Sequence, residues 1–451
     1  MPRLYRCSPD LPPDGLRLAR SISGEPGAFL LRSSAFRELT IIGAWPLEYT
    51  NALYPDRPAT IQIEDTAESP PQWIGLLPYD AFRALERGNE ISDPRPPSML
   101  PRCEWWRYGA VAVIRDRVEI LGDDQRAVNR LARRLSAEHH PESVRLRYLG
   151  ASESERVHAS RVSRVLEAIS RGELYQVNLA RTFNFNACGS PIGLFQRLFQ
   201  HSKVPFGFAI DAGKGRAVVG ASPELCLEIC PDGRLLARPI KGTRPRGDSA
   251  AEDAERLQEL CTDPKELAEL NMVIDLVRND LARVSETGTV AVISSGESES
   301  FEAVHHRVAT VCAQMRPSVS TPDALRAFLP SASVTGAPKI AAMQMIGQLE
   351  TNRRGLYTGA FGCVCFDGSV RLAMAIRTLV VDSTGAGQYH SGGGIVADSD
   401  PGQEVQETRW KAHQLLFANA TAEQPPRSEG LPSSRPPAKN WADWMGSGIE
   451  A

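Results

Sequence analysis

Short apolar segments separated by turn residues fill the first 150 residues, and they restrict the fold more than any other feature of the chain. Runs of this length, bounded by Gly, Pro, Asp and Ser, are typical of strands in an antiparallel sheet. The predicted strands lie in GAFLLRSSAF, LTIIGAW, ATIQIED, QWIGLLPYDAF and GAVAVIRDRVEIL. The next segment, QRAVNRLARRLSAE, predicts an amphipathic helix because Val128, Leu131 and Leu135 recur at helical spacing.

From residue 151 onward, helices and strands mix without strict alternation. SESERVHASRVSRVLEAISRGEL predicts a helix, with Ser152 and Glu155 at capping-box spacing. QVNLARTFNFNA and RAVVGASPELCLEIC each predict a strand, and the segment around Asp367-Gly368 predicts a hairpin. Because strict βαβ units are missing, the pattern predicts an α+β fold with antiparallel sheets.

Composition limits the class of protein. A net charge of −3 over 451 residues, without a long run of one sign, gives no indication of nucleic acid or an anionic membrane as partner. Charges and prolines occupy the first twenty residues, where a signal peptide needs an apolar run, so we expect a cytoplasmic protein. We predict an N-terminal subdomain over 1–150, a catalytic domain over 151–420 and a disordered Pro/Ser-rich tail over 421–451.

Nine cysteines, an odd number in a long chain, do not favour a disulfide framework. Cys363 and Cys365 alternate in GCVCFDG, a spacing that places both thiols on one face of a strand. Neither they nor Cys226 and Cys230 form a Cys-x-x-Cys pair, so we expect buried free thiols that pack as small apolar groups.

Two predicted helix starts are near copies of each other. Each has an aspartate cap, a proline in the first turn and two glutamates three residues apart, so both carboxylates leave one face of the helix. The copies are Asp263-Pro264 with Glu266 and Glu269, and Asp400-Pro401 with Glu404 and Glu407. Four carboxylates would suit Mg²⁺, although first-turn acids also stabilise helix dipoles without any metal.

Two further features near the second pair suit an anionic ligand. Gly392, Gly393 and Gly394 would let backbone N–H groups approach an anion closely, although a tight turn would also use them. Arg377 falls within the predicted apolar strand AMAIRTLVV, where its charge needs either a substrate carboxylate or a structural acid.

Several segments, taken together and in this order, resemble the chorismate-utilising enzymes. They are ELYQVNLAR, ASPELCLEI, RPIKGTRPRG, KELAELNMVIDLVRNDLARV, VTGAPKIAAMQMIGQLE, RGLYTGAFG, AIRTLV and GGGIVADSDPGQEVQETRWKA. The resemblance implies two antiparallel sheets that form a sandwich wrapped by helices. It also implies Mg²⁺ held by Glu269 and Glu407, with Glu266 and Glu404 close to the ion directly or through water.

The resemblance implies roles for other residues. Substrate carboxylates would be held by a set of cationic, hydroxyl and backbone groups, namely Arg377, Gly392, Gly393, Gly394, Lys411 and Thr335. Glu224 would be the general acid for the leaving hydroxyl, and Thr243 would hydrogen-bond near that hydroxyl. The family histidine aligns best with His306, with His305 as the alternative.

Two positions distinguish members of the family. Gln176 stands where the water-using isochorismate and salicylate synthases have a lysine base, and an amide cannot be a base. Lys241, in PIKGT, stands where anthranilate synthases have alanine and aminodeoxychorismate synthases have lysine. The resemblance therefore implies synthesis of 4-amino-4-deoxychorismate, for p-aminobenzoate and folate, through a covalent Lys241 intermediate. Anthranilate synthase is the alternative, and a non-catalytic chorismate- or tryptophan-binding scaffold is the alternative from another class.

The N-terminal segment FLLRSS resembles the tryptophan-pocket element LLES of the family. Ser33 persists in it, whereas Arg32 replaces a glutamate, and this charge reversal weakens the expectation of tryptophan binding. None of the nine cysteines lies in the Gly-x-Cys-x-Gly context of a glutamine amidotransferase. We therefore expect a separate amidotransferase subunit, in a heterodimer, to supply ammonia.

Overall fold

The computed structural model describes residues 4–33, 38–56, 69–85, 93–137, 142–202, 204–301 and 304–416. The predicted strand ATIQIED and the predicted tail lie outside these residues. The strands are β1 (Tyr5–Cys7), β2 (Phe29–Ser33), β3 (Leu39–Gly43), β4 (Glu48–Thr50), β5 (Pro71–Leu77), β6 (Glu104–Arg107), β7 (Val111–Ile114), β8 (Val118–Gly122), β9 (Arg145–Ala151), β10 (Gln176–Cys188), β11 (Phe206–Asp211), β12 (Ala217–Ser222), β13 (Leu225–Ile229), β14 (Arg234–Arg238), β15 (Ile240–Pro245), β16 (Ala291–Ser300), β17 (Val304–Gln314), β18 (Gly336–Ala337), β19 (Ala360–Cys365), β20 (Val370–Met374), β21 (Thr378–Val381) and β22 (Ala386–Ile395). The helices are α1 (Gly15–Ser21), α2 (Tyr79–Arg83), α3 (Gln125–Leu135), α4 (Glu155–Ser170), α5 (Pro191–Phe199), α6 (Ala250–Thr262), α7 (Pro264–Ala282), α8 (Thr321–Phe328), α9 (Lys339–Leu349) and α10 (Pro401–Leu416).

Two antiparallel sheets form the framework, as the sequence predicts. Twelve strands make the first sheet, in the order β1-β8-β7-β3-β2-β11-β12-β21-β22-β10-β18, with β9 also paired to β10. Ten strands make the second, in the order β15-β17-β14-β13-β20-β19-β5-β6-β4, with β16 also paired to β17. Strands from either side of residue 150 pair within both sheets, and the predicted domain division there stays a prediction.

Apolar cores lie between the sheets and under the helices. The stacked rings of Phe208 and Phe361, with centroids 3.5 Å apart, join the first sheet to the second. Helix α3 is confirmed, and its three predicted apolar residues are buried against the first sheet. Helix α7 packs its buried residues Leu270, Val273 and Val277 against the second sheet. Burial of this kind contributes roughly 1.5–3 kcal/mol for each large side chain.

Local signals explain where several elements begin and end. The predicted hairpin at Asp367-Gly368 is confirmed, because β19 pairs antiparallel with β20. The capping box predicted at Ser152 and Glu155 is wrong. Ser154 caps α4 by accepting a hydrogen bond from the Val157 N–H, while the Ser152 hydroxyl accepts one from the Thr182 N–H of β10. A serine two residues nearer the helix thus fits the cap geometry.

The segment RAVVGASPELCLEIC does not form one strand, contrary to the prediction. It breaks at Pro223-Glu224 into β12, which belongs to the first sheet, and β13, which belongs to the second. A proline cannot donate to a ladder of hydrogen bonds, and the chain uses this break to cross between the sheets. Within the residues that the structure describes, no helix has both the length and the apolar character needed to cross a membrane.

Candidate active site

At two neighbouring points the chain crosses between the two sheets, and the candidate site includes a residue from each crossing. Glu224 lies where β12 leads into β13, and Arg377 lies where β20 leads into β21. The Met374 N–H donates to the Glu224 carbonyl at 3.0 Å, and the Ala221 N–H donates to the Arg377 carbonyl at 3.2 Å. These hydrogen bonds hold the two crossings together, so the acidic residue Glu224 and the basic residue Arg377 lie at the same end of the sandwich.

Lys241 projects toward the glutamates of α7. Its Nζ lies 4.0 Å from Glu269 Oε2, and its side chain is 17% exposed. The next residue, Gly242, has φ +82°, and a Cβ there would lie only 2.7 Å from Leu260 Cδ1. Glycine is therefore required for β15 to bend at this point and to bring the amine to the α7 start.

The two histidines of β17 have different surroundings. His306 pairs with Thr243 across the strands, and its Nδ1 lies 2.9 Å from the Thr243 Oγ1. Burial lowers the pKa of His306 to about 4, so its ring is neutral near pH 7. Both ring nitrogens of His305 are engaged elsewhere, with Ser300 and Asp253. The contacts thus place His306, rather than His305, beside the Lys241-to-Thr243 segment.

The arginines that follow Lys241 point away from it. Arg244 donates to Asp263 and Glu266 at the start of α7, at 3.0 Å in each case, and Arg246 forms a two-pronged pair with Asp253 of α6. Their proximity to Lys241 in the sequence does not give them a contact with its amine. Their hydrogen bonds instead fasten β15 to the two helices.

The two glutamate pairs meet at this end of the sandwich. The predicted cap at Asp263 is confirmed, since its side chain accepts from the Lys265 and Glu266 N–H groups. Burial raises the pKa of Glu269, and nearby Glu266 and Glu407 raise it further against the opposing effect of Lys241. Repulsion between acids on different helices shows that the two helix starts share one electrostatic site.

Glu404 is the most confined of these acids. Its side chain is buried, Oε1 accepts a 2.7 Å hydrogen bond from Ser399, and Oε2 has no hydrogen-bond partner among the described residues. Burial, reinforced by Glu407, raises its pKa to about 6. Ser399 was not predicted, although its place immediately before Asp400-Pro401 was a signal for a polar contact in the first turn.

Lys411 connects α10 to the glycine strand, which is β22 with its residues Gly392, Gly393 and Gly394. Its Nζ donates to the Gly392 carbonyl at 2.8 Å and lies 2.5 Å from Glu407 Oε1. Burial acts to raise the pKa of Glu407, but the Lys411 ammonium outweighs it and lowers that pKa. Glu407 is therefore an ionised carboxylate, while Glu404 beside it titrates near neutral pH.

The three glycines form neither a loop nor a tight turn. They lie within β22, where Gly392, Gly393 and Gly394 pair with β10. A Cβ on Gly393 would lie 2.8 Å from Glu404 Oε2, and one on Gly394 would lie 2.8 Å from Gln176 Nε2 and 3.2 Å from Lys241 Nζ. Because Gly393 has no side chain, the acids can approach the strand there. Because Gly394 has none, Lys241 and Gln176 can approach it at the next residue.

Gln176 and Thr335 present unused polar atoms in this region. The amide oxygen and nitrogen of Gln176 and the hydroxyl of Thr335 are buried and have no hydrogen-bond partner within the described part of the chain. The Asn178 N–H donates to the Thr335 carbonyl at 2.9 Å, which fixes Thr335 next to β10. Buried polar groups normally find partners, so these atoms indicate a place for a polar ligand.

Glu224 is buried, and burial raises its pKa to about 8, against the opposing effects of Lys241 and Lys411. A carboxyl group with this pKa is mostly protonated at pH 7. It can therefore donate a proton, as a general acid must. The same electrostatic contacts show that Glu224 lies near both lysines of the site.

Arg377 does not lie within a strand, contrary to the prediction. It lies between β20 and β21 with φ +54°, a conformation that is uncommon for a residue with a Cβ. It donates to the Lys411 carbonyl at 3.3 Å, and no described carboxylate forms an ion pair with it. Tyr357, which was not predicted, lies close enough for Arg377 to lower its pKa, although burial raises that pKa overall.

The donor chemistry fits a hard cation. Carboxylates from two helices converge, burial raises the pKa of Glu269, and the buried Glu404 Oε2 has no hydrogen-bond partner among the described residues, so this oxygen can accept a cation. No three His, Cys, Asp or Glu side chains of the described residues form a complete metal cage. Mg²⁺ does not need one, because it usually keeps several waters and binds through one or two carboxylates.

A separate cavity of about 110 Å³ lies between the sheets, and none of the four glutamates lines it. Ser33 and Arg32 line it on the first sheet, and Phe361, Cys363 and Arg371 line it on the second. The Ser33 hydroxyl is buried and has no hydrogen-bond partner among the described residues. Tryptophan binding at this cavity stays a prediction.

Comparison with known proteins agrees with this geometry. The family model described as chorismate binding enzyme matches residues 46–417. Aminodeoxychorismate synthase component 1 of Klebsiella aerogenes is 36% identical over 355 residues, which cover 76% of each chain. Anthranilate synthase component 1 of Streptomyces coelicolor is 41% identical over 274 residues, which cover 60% of this chain and 53% of that protein. The chain thus spans about half the length of several curated relatives that it matches.

Solved structures show the same architecture. Anthranilate synthase component I from Streptococcus pneumoniae superposes with a TM-score of 0.68 at 26% identity, over 92% of each chain. The menaquinone-specific isochorismate synthase from Escherichia coli superposes with a TM-score of 0.69 at 17% identity, over 92% of this chain and 94% of that one. At the latter identity, the likeness shows the fold alone.

Proposed function

The chain belongs to the chorismate-binding enzyme family, and we propose that within this family it converts chorismate and ammonia to 4-amino-4-deoxychorismate. The observation that carries this proposal is the position of the Lys241 amine, between Glu269 and the glycine strand. The amine is largely buried and lies beside polar side-chain atoms that have no hydrogen-bond partner. An amine in such surroundings is suited to attack the ring of a bound substrate. The activity is that of aminodeoxychorismate synthase component I, an amino-group transferase that supplies p-aminobenzoate for folate.

In the first step, the unprotonated Lys241 amine attacks ring carbon 2 of chorismate. The diene shifts, the bond from carbon 4 to oxygen breaks, and the hydroxyl takes the proton of Glu224 and leaves as water. The raised pKa of Glu224 supplies that proton near pH 7. Thr243, whose hydroxyl contacts the His306 ring, would hydrogen-bond the departing hydroxyl.

In the second step, ammonia attacks carbon 4, the diene shifts back, and the bond between carbon 2 and Lys241 breaks. Glu224, now a carboxylate, can take up the proton that the new amine loses. Gln176 cannot act as a base for water, which disfavours the water-using activities of the family. Arg377, Thr335, Lys411 and the backbone of Gly392–Gly394 would hold the carboxylates of the substrate.

Glu269 and Glu407 would hold Mg²⁺, with Glu266 and Glu404 binding directly or through water. The ion would supply positive charge for the ring carboxylate of the substrate. Arg244 forms an ion pair with Glu266 at 3.0 Å, and Lys411 forms one with Glu407. These ion pairs hold the two carboxylates in position.

Anthranilate synthase is the second candidate, because relatives with 41% identity carry that name. Incubation of the chain with chorismate, ammonium and Mg²⁺ separates the two activities. Anthranilate is fluorescent, whereas aminodeoxychorismate becomes p-aminobenzoate only after a lyase is added. We expect p-aminobenzoate after lyase addition. Fluorescent anthranilate as the main product would contradict the proposal. A non-catalytic scaffold would give neither product.

A separate glutamine amidotransferase subunit would supply the ammonia. We therefore expect the isolated chain to use ammonium salts at high pH, where ammonia is unprotonated, and to give no product with glutamine. Product formation is measured with each nitrogen source at equal concentration. Glutamine-dependent turnover by the pure chain would exclude the separate subunit.

The pKa of Glu224 predicts a pH dependence. Because Glu224 must be protonated to act as an acid, its contribution is full well below pH 8 and is lost as the pH rises through about 8. In Glu224→Gln we expect kcat to fall about 10²- to 10⁴-fold, the usual contribution of a positioned acid. We also expect the residual rate to lack the alkaline limb near pH 8.

The measurement is a pH profile at constant concentration of unprotonated ammonia. This condition is needed because the ammonia supply itself changes with pH. Glu228→Gln is not a suitable comparison, since Glu228 is paired with Arg371. Exposed Glu167 on α4 offers a neutral control, and Glu167→Gln should keep the wild-type profile. An unchanged alkaline limb in Glu224→Gln would remove the general-acid assignment.

A further inference from the structure

Cys363 and Cys365 lie outside the candidate active site and face the inter-sheet cavity. Both are buried, both are on β19, and their Sγ atoms are 3.8 Å apart. Their alternation with Gly362 and Val364 puts them on the face of the second sheet that packs toward the first, with Phe361. From the sequence we expected only two buried, packed thiols there.

The distance between the two sulfur atoms suits the binding of both to a single metal or metalloid atom. Two sulfurs bound to one tetrahedral ion at about 2.3 Å lie about 3.8 Å apart, so a bridging atom requires little movement of β19. A structural zinc site normally has four protein ligands, and no third His, Cys, Asp or Glu of the described residues joins the two cysteines in such a group. The pair therefore fits a soft centre that two sulfurs can satisfy, since thiolates select such centres.

The cavity gives a ligand access to the thiols. Both cysteines line it, together with Ser69 and Arg371, while partly exposed residues such as Ile41 and Phe206 line its outer part. The adjacent Cys365 and burial raise the pKa of the Cys363 thiol, the Cys363 thiol lowers the pKa of Cys365, and the Arg371 guanidinium acts to lower both. The cavity therefore gives access to the paired sulfurs and holds a positive charge near them.

We propose that Cys363 and Cys365 form a two-sulfur binding site for thiophilic metalloid or metal centres, such as trivalent arsenic, at the inter-sheet cavity. With an organic arsenic(III) oxide, two S–H bonds break, two As–S bonds form, and the oxygen leaves as water. Arsenic stays trivalent and no oxidant is needed. The site is independent of the activity proposed above, because neither thiol lies among the acids and Lys241.

The test uses the reduced full-length protein and phenylarsine oxide at one equivalent. We expect native mass spectrometry to show one phenylarsenic group retained after removal of excess reagent. When the protein is then unfolded and labelled with maleimide, peptide mapping should show Cys363 and Cys365 protected together only in the arsenic-treated sample, since burial protects them without arsenic in the folded state. The thermal unfolding midpoint should rise, because a ligand that binds the folded state stabilises it.

Variants identify the sulfurs. Cys363→Ala and Cys365→Ala should each lose the retained adduct, at least tenfold in occupancy. Cys230→Ala, which changes a cysteine of the other closely spaced pair, should keep it. Protection mapping on the wild-type chain decides the matter even if a variant fails to fold. Absence of an adduct, or its location on other cysteines, would overturn the proposal.

Discussion

Lys241→Ala should abolish formation of 4-amino-4-deoxychorismate, with a loss of about a thousandfold or more in kcat/KM. Removing the nucleophile of a covalent mechanism removes a whole step, and losses of this size or larger follow. The substitution also removes the positive charge 4.0 Å from Glu269. We expect the fold to persist, because the Lys241 side chain is partly exposed and lies at the site rather than in a core. Some anthranilate can form, since alanine is the residue of anthranilate synthases at this position.

The control is Lys265→Ala. Lys265 Nζ also lies 4.0 Å from a Glu269 oxygen, but its side chain is 49% exposed. If Lys241 acts only by balancing the charge of Glu269, the two variants should behave alike. If Lys241 is the nucleophile, Lys265→Ala should keep a rate within a few-fold of wild type. Product is measured by chromatography after lyase addition, and a Lys241→Ala rate equal to that of Lys265→Ala would remove the assignment.

Glu404→Gln should raise the stability of the metal-free protein at pH 8 and lower its affinity for Mg²⁺. Because the folded-state pKa of Glu404 is raised to about 6 from 4.5, the group stabilises the fold fully below pH 4.5 and loses that contribution as the pH rises through 6. At pH 8 its ionisation therefore costs about 2 kcal/mol without metal, at 1.36 kcal/mol per pKa unit. A neutral glutamine avoids this cost and can still accept the hydrogen bond from Ser399.

We expect metal-free Glu404→Gln to be more stable than wild type at pH 8, by up to about 2 kcal/mol, in denaturant unfolding. We expect its Mg²⁺ affinity and activity to fall about 10- to 100-fold, the usual effect of losing a supporting metal contact. Glu167→Gln, on an exposed face of α4, should change neither quantity. Unchanged Mg²⁺ titration by calorimetry in Glu404→Gln would exclude Glu404 from the metal site.

Several local signals in the sequence correctly predicted where elements begin or turn. The cap at Asp263, the helix with Leu131 and the turn at Asp367-Gly368 depend on residues close in the chain, and all are confirmed. The α+β class with antiparallel sheets also followed from the local pattern, because strict βαβ units are missing, whereas the sandwich of two sheets was implied by the resemblance.

Long-range contacts account for what the sequence could not predict. The break at Glu224 and the position of Arg377 depend on where the chain crosses between sheets, which apolar runs such as AVVGAS and TLVV do not encode. Arg244 and Arg246 bind acids on helices that come later in the chain. The position of the three glycines within a strand was not predicted, because the groups that need their small size, Glu404 and Gln176, lie on other elements.

The site residues were found through motifs rather than through periodicity. Glu224, Lys241, His306 and the two glutamate pairs are far apart in the sequence, and only the resemblance joined them. The structure brings them to one end of the sandwich. It also adds Ser399 and Tyr357, which lie within the matching segments but had no role assigned from the sequence.

The most direct test of the account is to trap the covalent intermediate. Wild-type chain is incubated with chorismate and Mg²⁺ in the absence of ammonia, quenched in acid, digested and mapped by mass spectrometry. The account predicts that the peptide containing Lys241 gains the mass of chorismate less one water, and that Lys265 remains unmodified. A peptide without the adduct, in a chain that makes product once ammonia is added, would contradict it.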